Sequence, residues 1–192
     1  MRIIAGKHRG RKLLAPEDQS VRPTAERARE ALFDILAHGR LSAGPAFADA
    51  LVLDAFAGTG AFGLEALSRG AQRVSFIEKN RTVRALLEQN IAALGEDKQA
   101  QVLSADATRP PRASGACALA FLDPPYREDL AAPALAALTQ AGWFAEGALV
   151  IIELAARADL DAPAAFEPIE ERRYGAAKFV FLRYRGGNPA VP

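Results

Sequence analysis

The sequence predicts an α/β fold, with a mostly parallel sheet covered by helices on both faces and closed by an antiparallel hairpin. Apolar segments alternate with amphipathic ones from about residue 50 onward; residues 73–78, for example, precede the helical pattern of residues 81–94. Continuous apolar strands that alternate with helices are typical of parallel sheets buried on both sides. Near the end, residues 168–174 and 178–184 flank Gly175-Ala176-Ala177, which indicates the hairpin.

The individual elements follow from the period of the apolar residues. Strands are predicted at residues 51–54, 73–78, 101–103, 117–122 and 149–153, and helices at residues 63–69, 81–94 and 133–141. An earlier helix over residues 24–36 has Thr24 as its N-cap. Its apolar residues recur at helical spacing.

A chain of 192 residues, half of them apolar, predicts one main domain with a sizeable core. We assign residues 24–187 to this domain, residues 1–23 to an N-terminal extension and residues 188–192 to a loose tail. In the extension, two short apolar runs flank a glycine-bounded turn, the pattern of a β-hairpin. A single hairpin is too small to be stable alone, so it is expected to lean on the main domain while its tip, Lys7-His8-Arg9, projects into solvent.

Basic residues cluster in two places although the formal net charge is only +1. Residues 1–16 contain five Lys and Arg residues and no acid, and residues 172–185 form a second stretch without Asp or Glu. Local basic patches on a near-neutral protein predict contact with a polyanion. Solvated charge at the ends of the chain is the alternative.

Cys117 is the only cysteine, which excludes an intrachain disulfide and favours a reducing compartment. Its apolar neighbours predict a small buried hydrophobe instead of a nucleophile. The N-terminus turns basic without the apolar region of a signal peptide, and the longest apolar stretch, near residues 148–152, is too short to span a bilayer. We therefore expect a soluble cytoplasmic protein.

A glycine-rich segment after the first predicted strand indicates a nucleotide cofactor. Gly58, Gly60 and Gly63 form a G-x-G-x-x-G in which glycine allows a tight turn and close approach of a ligand. Glu78 ends the second strand and Asp106 follows the third, so both carboxylates are expected at the ligand-binding edge of the sheet. The glycines alone do not separate a dinucleotide from another adenosine cofactor. Turn glycines with surface acids are the purely structural alternative.

Asp123-Pro124-Pro125-Tyr126, at the end of the fourth predicted strand, indicates a site for the amino group of a base. Such a nitrogen is a poor nucleophile because its lone pair is delocalised into the ring, so catalysis needs acceptors for its N–H bonds. Asp123 supplies a carboxylate, and the prolines, which lack N–H groups, present carbonyls on a rigid backbone. Tyr126 can stack on an unpaired base. A merely stiff strand exit is the alternative.

Together these motifs resemble class I S-adenosylmethionine-dependent methyltransferases, and among them the RsmD family of 16S rRNA guanine-N2 methyltransferases. The resemblance rests on Arg22-Pro23-Thr24 with the following helix, on residues 53–70 and on the Asp-Pro-Pro-Tyr motif, and it extends over nearly the whole chain. It implies a Rossmann-like sheet of seven strands with an antiparallel C-terminal strand. Tyr126 stands where many relatives carry Phe, which preserves stacking, and residues 109–116 match no family landmark.

The resemblance also implies roles for individual residues. The catalytic residues would be Asp123, Pro124, Pro125 and Tyr126. The segment 54–63 would hold the methionine part of S-adenosylmethionine, Glu78 the ribose and Asp106 the adenine amino group. In full, the implied cofactor-binding residues are Asp54, Phe56, Ala57, Gly58, Gly60, Gly63, Glu78, Lys79, Asp106, Ala107 and Asp123. The basic N-terminal stretch, together with the Arg-Pro-Thr element, gives the predicted RNA-binding residues: Arg2, Lys7, His8, Arg9, Arg11, Lys12, Arg22 and Thr24.

The implied substrate is a guanine of 16S rRNA, presented in an assembling 30S subunit. We further expect a monomer that uses neither a metal nor a membrane. An adenine-N6 methyltransferase acting on RNA or DNA shares the Asp-Pro-Pro-Tyr element, although nothing here is long enough for a DNA target-recognition region. A nicotinamide-dependent oxidoreductase would explain the glycines and Glu78 but not Asp-Pro-Pro-Tyr. A non-catalytic RNA-binding module would explain the basic ends but not the cofactor motif.

Overall fold

A single seven-stranded sheet forms the centre of the protein. The computed structural model describes residues 1–16, 23–38, 41, 47–126 and 129–186, without the side chains of residues 23–26. The strands are β1 Leu51–Ala55, β2 Arg73–Ile77, β3 Ala100–Leu103, β4 Cys117–Leu122, β5 Phe144–Ala155, β6 Phe166–Tyr174 and β7 Ala177–Tyr184. The helices are α1 Pro23–His38, α2 Ala61–Ser68, α3 Arg81–Leu94 and α4 Ala131–Gln140. Two predictions lie outside the described residues: the role of Arg22 and the loose tail at residues 188–192.

The strand order is β3-β2-β1-β4-β5-β7-β6. Neighbouring strands from β3 to β5 are parallel, and β7 runs antiparallel to both β5 and β6. The predicted parallel sheet with an antiparallel C-terminal strand is confirmed. The direction of the strand order reverses between β1 and β4, and the carboxyl ends of strands at such a point form a ligand-binding crevice.

Helices cover both faces of the sheet, as predicted. On one face α1, α2 and α3 pack over β1 and β2, and the Phe62 ring lies 5.0 Å from Phe33 and 4.3 Å from Phe121 between ring centroids. On the other face α4 packs its buried Leu135 and Leu138 against a second apolar cluster. The two cores fix the sheet between layers, so the crevice opens only at its edge.

Two predicted element bounds are wrong in informative ways. The first helix begins at Pro23, so Thr24 lies in the first turn and is not the N-cap. Proline suits a first turn because its fixed φ is helical and its missing N–H has no intrahelical partner there. Strand β5 begins at Phe144, five residues before the predicted residue 149. A register shift in its pairing with β4 and the positive φ of Gly147, 77°, show how the strand continues through a segment without a strand-like pattern.

The N-terminal hairpin forms and lies flat on the helices. The Ile3 N–H donates to the Arg11 carbonyl and the Gly10 N–H donates to the Ile3 carbonyl, both at 2.9 Å. The carboxylate of Glu65 in α2, fully buried, accepts the Ile4 N–H at 2.7 Å and the Ala5 N–H at 2.9 Å. The Glu65 side chain therefore accepts the backbone N–H groups that carbonyls of a neighbouring strand would otherwise accept.

The tip of the hairpin is bonded to the main domain; Lys7 and Arg9 are exposed as expected, whereas His8 is partly buried. The Glu96 carboxylate after α3 lies 2.7 Å from the Lys7 Nζ and 2.6 Å from the His8 Nε2. Burial raises the pKa of Glu96, but the bonds from Lys7 and His8 outweigh it and leave that pKa below its ordinary value. Arg9 is exposed. The sequence did not predict this pairing, because Glu96 lies far from the hairpin in the chain.

Asn90 of α3 connects the end of the hairpin to the glycine-rich loop. Its Nδ2 donates to the carbonyls of Leu14, at 3.1 Å, and Thr59, at 3.0 Å, while its Oδ1 accepts the Leu14 N–H at 2.7 Å. The side chain is buried, so these bonds are shielded from water. The extension is thus bonded to the main domain from its tip to its last described turn.

Three of the five cations in the second basic stretch, residues 172–185, are paired with acids. Arg172 pairs with Glu170 at 2.8 Å, Lys178 with Glu171 at 3.1 Å, and Arg185 with Glu167. All three acids belong to β6, just before the stretch that lacks acids. The hairpin β6–β7 therefore carries counter-charges for three of the five cations, while Arg173 is exposed.

Among the residues with a described structure, no helix has both the length and the apolar character needed to cross a bilayer.

Candidate active site

The glycine-rich loop connects β1 to α2 and turns through three residues with positive φ. These are Phe56 at 59°, Gly58 at 56° and Gly60 at 86°. The Ala57 N–H donates to the Ile77 carbonyl at 3.0 Å, which anchors the loop to the end of β2. The loop therefore lies across the carboxyl ends of β1 and β2, at the predicted ligand-binding edge.

The three glycines of the motif serve different purposes. A Cβ on Gly60 would lie 2.4 Å from Leu87, and one on Gly63 would lie 2.3 Å from the Phe76 ring. These two positions require glycine for the packing of α2 against its neighbours. A Cβ on Gly58 would meet nothing within 4 Å. Gly58 faces open space, as expected where a ligand approaches the backbone closely.

Glu78 stands directly after β2 and reaches the loop. Its Oε2 accepts the Gly58 N–H at 2.9 Å, and its Oε1 accepts the Asn80 N–H at 2.7 Å. The residue is only partly buried, and each carboxylate oxygen has a second lone pair. The carboxylate is thus held beside Gly58 with acceptor capacity left for hydroxyl groups of a ligand.

Asp54 lies behind the loop. The residue is 2% exposed, and its Oδ2 accepts the Gly63 N–H at 2.9 Å. Burial raises the pKa of Asp54 to about 8; the Gly63 N–H lowers it and the charge of Glu78 raises it further. The side chain holds the start of α2 against β1 and shapes the loop from beneath.

Asp106 follows β3 and faces Lys79 across the edge of the sheet. Its Oδ1 accepts the N–H of Thr108 at 2.9 Å and the Thr108 hydroxyl at 2.7 Å, while the Lys79 Nζ lies 3.3 Å from Oδ2. These bonds from Thr108 and then Lys79 lower the pKa of Asp106. Asp106 is therefore an ionised acceptor, and the next residue, Ala107, is buried in the core.

Asp123 follows β4 at the centre of the same edge. Its N–H donates to the Ala55 carbonyl at 3.3 Å, so the start of the Asp-Pro-Pro-Tyr segment is bonded to the end of β1. The residue is exposed at this edge of the sheet. Desolvation of the carboxyl group by the surrounding protein, then the charges of Glu153 and Asp54, raise the pKa of Asp123 well above its ordinary value.

Glu153 is a site residue that the sequence did not reveal. It lies in β5, and the Tyr126 hydroxyl donates a hydrogen bond of 2.8 Å to its Oε1. Burial raises the pKa of Glu153 and the Tyr126 hydroxyl opposes that shift. An acid near the end of an apolar strand was the one available signal, but the chain order does not say which strand lies beside β4.

A cavity of about 300 Å³ lies beside this segment. Its walls include Pro124, Pro125 and Tyr126 on one side and Leu154 and Ala155 of β5 on the other. Its mostly apolar lining also includes the acids Asp129 and Asp159. Such a combination suits a flat aromatic ring with polar substituents.

Cys117 lies at the opposite end of β4, buried, and burial raises its pKa to about 12. The prediction of a buried hydrophobe instead of a nucleophile is confirmed. Within the described part of the chain, no three His, Cys, Asp or Glu side chains come together as a metal site.

The residues at this edge fit S-adenosylmethionine. Gly58 leaves room for a ligand against the loop backbone. Glu78 offers acceptors for ribose hydroxyls, and the ionised Asp106 offers one for an adenine amino group. The Asp-Pro-Pro-Tyr segment borders the same edge, so a methyl donor held here would face it.

The strand order, the antiparallel β7 and the glycine-rich loop beside Asp123 define a class I methyltransferase. Within this class, the chain belongs to the RsmD family. It matches the family described as Conserved hypothetical protein 95 over residues 1–183.

Curated relatives and a solved structure agree with this assignment. Ribosomal RNA small subunit methyltransferase D of Escherichia coli strain K12 is 41% identical over 154 residues, which cover 80% of this chain and 74% of that protein. The protein of the same name from Haemophilus influenzae is 34% identical over 183 residues, covering 93% and 91%. The solved structure of Escherichia coli yhhF superposes with a TM-score of 0.81 at 35% identity, covering 96% of this chain and 98% of that one.

Proposed function

We propose that this protein transfers the methyl group of S-adenosylmethionine to the exocyclic N2 amino group of a guanine in 16S rRNA. The family and the relatives named for the small ribosomal subunit support the rRNA substrate. The guanine-N2 specificity is what the RsmD family implies. We further propose that it acts as a cytoplasmic monomer on an assembling small subunit.

One observation carries this proposal: Asp123 and the loop around Gly58 lie at the same edge of adjacent strands. The Asp123 N–H is bonded to Ala55, the last residue of β1 before the loop. A methyl donor on the loop and a base on the Asp-Pro-Pro-Tyr segment would therefore be neighbours. Proximity of this kind accounts for a large part of the rate of a two-substrate reaction.

The residues of the chain bind, orient and deprotonate the base in this proposal. S-adenosylmethionine supplies an electrophilic methyl group when it is bound. Asp123 and the carbonyls of the proline pair accept the N–H bonds of the base, which directs the nitrogen lone pair toward that methyl carbon. The Tyr126 ring stacks on the base. As the N–C bond forms and the methyl–sulfur bond breaks, Asp123 is placed to take the proton that the nitrogen loses.

The direct test is methyl transfer from labelled S-adenosylmethionine to small subunits that lack the modification, followed by digestion to nucleosides. We expect the label in N2-methylguanosine. Label in N6-methyladenosine would instead support the adenine-N6 alternative. Absence of label with both isolated 16S rRNA and small subunits would contradict the proposed function.

Glu78→Ala is expected to weaken S-adenosylmethionine binding, because the ribose hydroxyls lose their acceptor and Gly58 loses its bond to Oε2. Loss of a charged acceptor costs about 1.5–3 kcal/mol, or roughly a 10- to 150-fold increase in Kd. Calorimetric titration measures this change. Glu88→Ala, which removes an exposed acid of α3, is the matched control and should leave Kd unchanged. Equal Kd values for the two variants would contradict the proposed pocket.

The exposed cations of the hairpin are expected to contribute RNA affinity without affecting cofactor binding. All five cations of the hairpin are exposed, but Lys7 is bonded to Glu96 and Arg11 to the Ala93 carbonyl, so Arg2, Arg9 and Lys12 are chosen for the change. Each lost phosphate contact should reduce the slope of log K against log salt by about 1. The triple change of the exposed cations to Ala should therefore flatten the salt dependence of binding to 16S rRNA.

Binding of the triple variant is best measured across a salt series. A control with Arg73, Arg112 and Lys98 changed to Ala removes the same charge from exposed positions outside the hairpin. Identical slopes for the wild type and the hairpin variant would show that the hairpin cations are only solvated charges that make no phosphate contact. The Kd for S-adenosylmethionine should be the same in the wild type and the hairpin variant, and a change would contradict the separation of RNA binding from cofactor binding.

A further inference from the structure

Glu153 is positioned next to Asp123 by the register of two neighbouring strands. Leu122 of β4 pairs with Ile152 of β5 in the parallel ladder. The residues that follow, Asp123 and Glu153, are therefore side by side at the carboxyl edge of the sheet. Their carboxylates act on each other, since the charge of Glu153 contributes to the raised pKa of Asp123. The proposed reaction uses only the first of these two groups.

The second carboxylate is oriented by the residue that would stack on the base. The Tyr126 hydroxyl donates to the Glu153 Oε1 at 2.8 Å, although Tyr126 is 56% exposed and its hydroxyl has access to water. This bond links the ring to β5. It uses one carboxylate oxygen, and among the described residues no hydrogen bond is made to the other, Oε2. Glu153 therefore keeps an acceptor for a group in the cleft.

The two adjacent carboxylates match the edge of guanine and oppose the edge of adenine. In guanine the N2 amino group stands next to N1–H, so N2 and N1 present two adjacent donors. In adenine the N6 amino group stands next to N1, which carries a lone pair and no hydrogen. A carboxylate beside the acceptor of the amino group would bond to guanine N1–H and repel adenine N1. Sites built to bond a substrate N–H discriminate strongly against an analogue that lacks it.

We propose that Glu153 is a specificity-determining residue whose carboxylate accepts the N1–H of the target guanine while Asp123 accepts an N2–H. The inference rests on the proposed function and extends it, because it explains why a motif shared with adenine-N6 enzymes would act on guanine here. Two N–H donors from the base would also keep both carboxylates ionised, opposing the burial that favours their protonated forms.

The experiment compares two RNAs, one with the natural target guanine and one with adenine at that position. Methyl transfer to each is measured for the wild type and for Glu153→Gln, Glu153→Ala, Tyr126→Phe and Glu146→Gln. Gln keeps the shape of Glu153 and an oxygen for the Tyr126 hydroxyl, but its N–H₂ group suits adenine N1. Glu146 is an exposed acid at the other end of β5, so its variant is the matched control.

We expect at least a 100-fold loss of kcat/KM on guanine for both Glu153 variants and at least a tenfold fall in the guanine-to-adenine ratio for Glu153→Gln. Tyr126→Phe should lose less than tenfold with an unchanged ratio, and Glu146→Gln should match the wild type. Cofactor Kd within threefold of the wild type shows that Glu153→Gln is folded.

Two results would overturn the inference. Guanine activity of Glu153→Gln within fivefold of the wild type would show that the carboxylate is not needed. Equal losses for Glu153→Ala and Tyr126→Phe, with unchanged base preference, would show that Glu153 only positions Tyr126. Methylation of adenine instead of guanine by the wild type would be a failure of the proposed function itself, which the wild-type assay reveals separately.

Discussion

Asp123→Ala is expected to lower the single-turnover rate of methyl transfer at least 100-fold while S-adenosylmethionine binds nearly as before. A positioned acid–base group contributes about 10²- to 10⁴-fold to such a rate. Asp123 is bonded through its backbone to Ala55, so the change removes the carboxylate without removing that bond. Asp97→Ala, which removes an exposed acid after α3, is the control. A rate within tenfold of the wild type would rule out the catalytic role.

The raised pKa of Asp123 predicts that the rate of methyl transfer depends on pH. Desolvation by the surrounding protein and the charges of Glu153 and Asp54 raise the pKa of Asp123, so its carboxyl group stays protonated to a higher pH than an ordinary Asp. A protonated carboxyl group is a poor acceptor for an amino group. The single-turnover rate should therefore rise with pH as this cluster of acids ionises and then level off. Asp123→Ala should remove most of this rise, and an unchanged profile would assign the titration to another group.

Glu65→Ala is expected to release the N-terminal hairpin and to destabilise the protein by about 3–5 kcal/mol, the usual cost of breaking a buried ion pair. The carboxylate accepts the N–H groups of Ile4 and Ala5 and the Nε of Arg69, the last at 2.7 Å. Its loss would leave two backbone donors and a largely buried guanidinium without their acceptor. A fall in Tm of about 6 °C or more should follow in a protein of this size.

Urea unfolding measures the stability, and hydrogen exchange at Ile4 and Ala5 reports the docking of the hairpin. Glu88→Ala is the matched control, because Glu88 pairs with Arg84 at the same spacing along a helix but is 58% exposed. Exposed pairs contribute only about 0–1 kcal/mol. If the two variants were equally stable, Glu65 would not be the main attachment of the hairpin.

Local patterns in the sequence predict the fold of this protein and the cofactor-binding edge of its sheet. Alternating strand and helix periods define the parallel sheet, because each element carries its own apolar period. The glycine motif and Glu78 are recognisable because their spacing follows directly from one strand, one loop and the next strand. The Asp-Pro-Pro-Tyr segment is recognisable because four consecutive residues carry its chemistry.

Only the tertiary structure decided which distant side chains meet. Glu65 lies about 60 residues from the backbone groups it binds, and Glu96 lies 88 residues from His8, so no local pattern indicated which side chains hold the hairpin or that its charge is partly neutralised. In the sequence, Glu153 is one acid near the end of a strand. Only the pairing of Leu122 with Ile152 shows that Glu153 lies beside Asp123. The physical reason is the same in each case: period and spacing define an element, but the packing of elements far apart in the chain defines a neighbour.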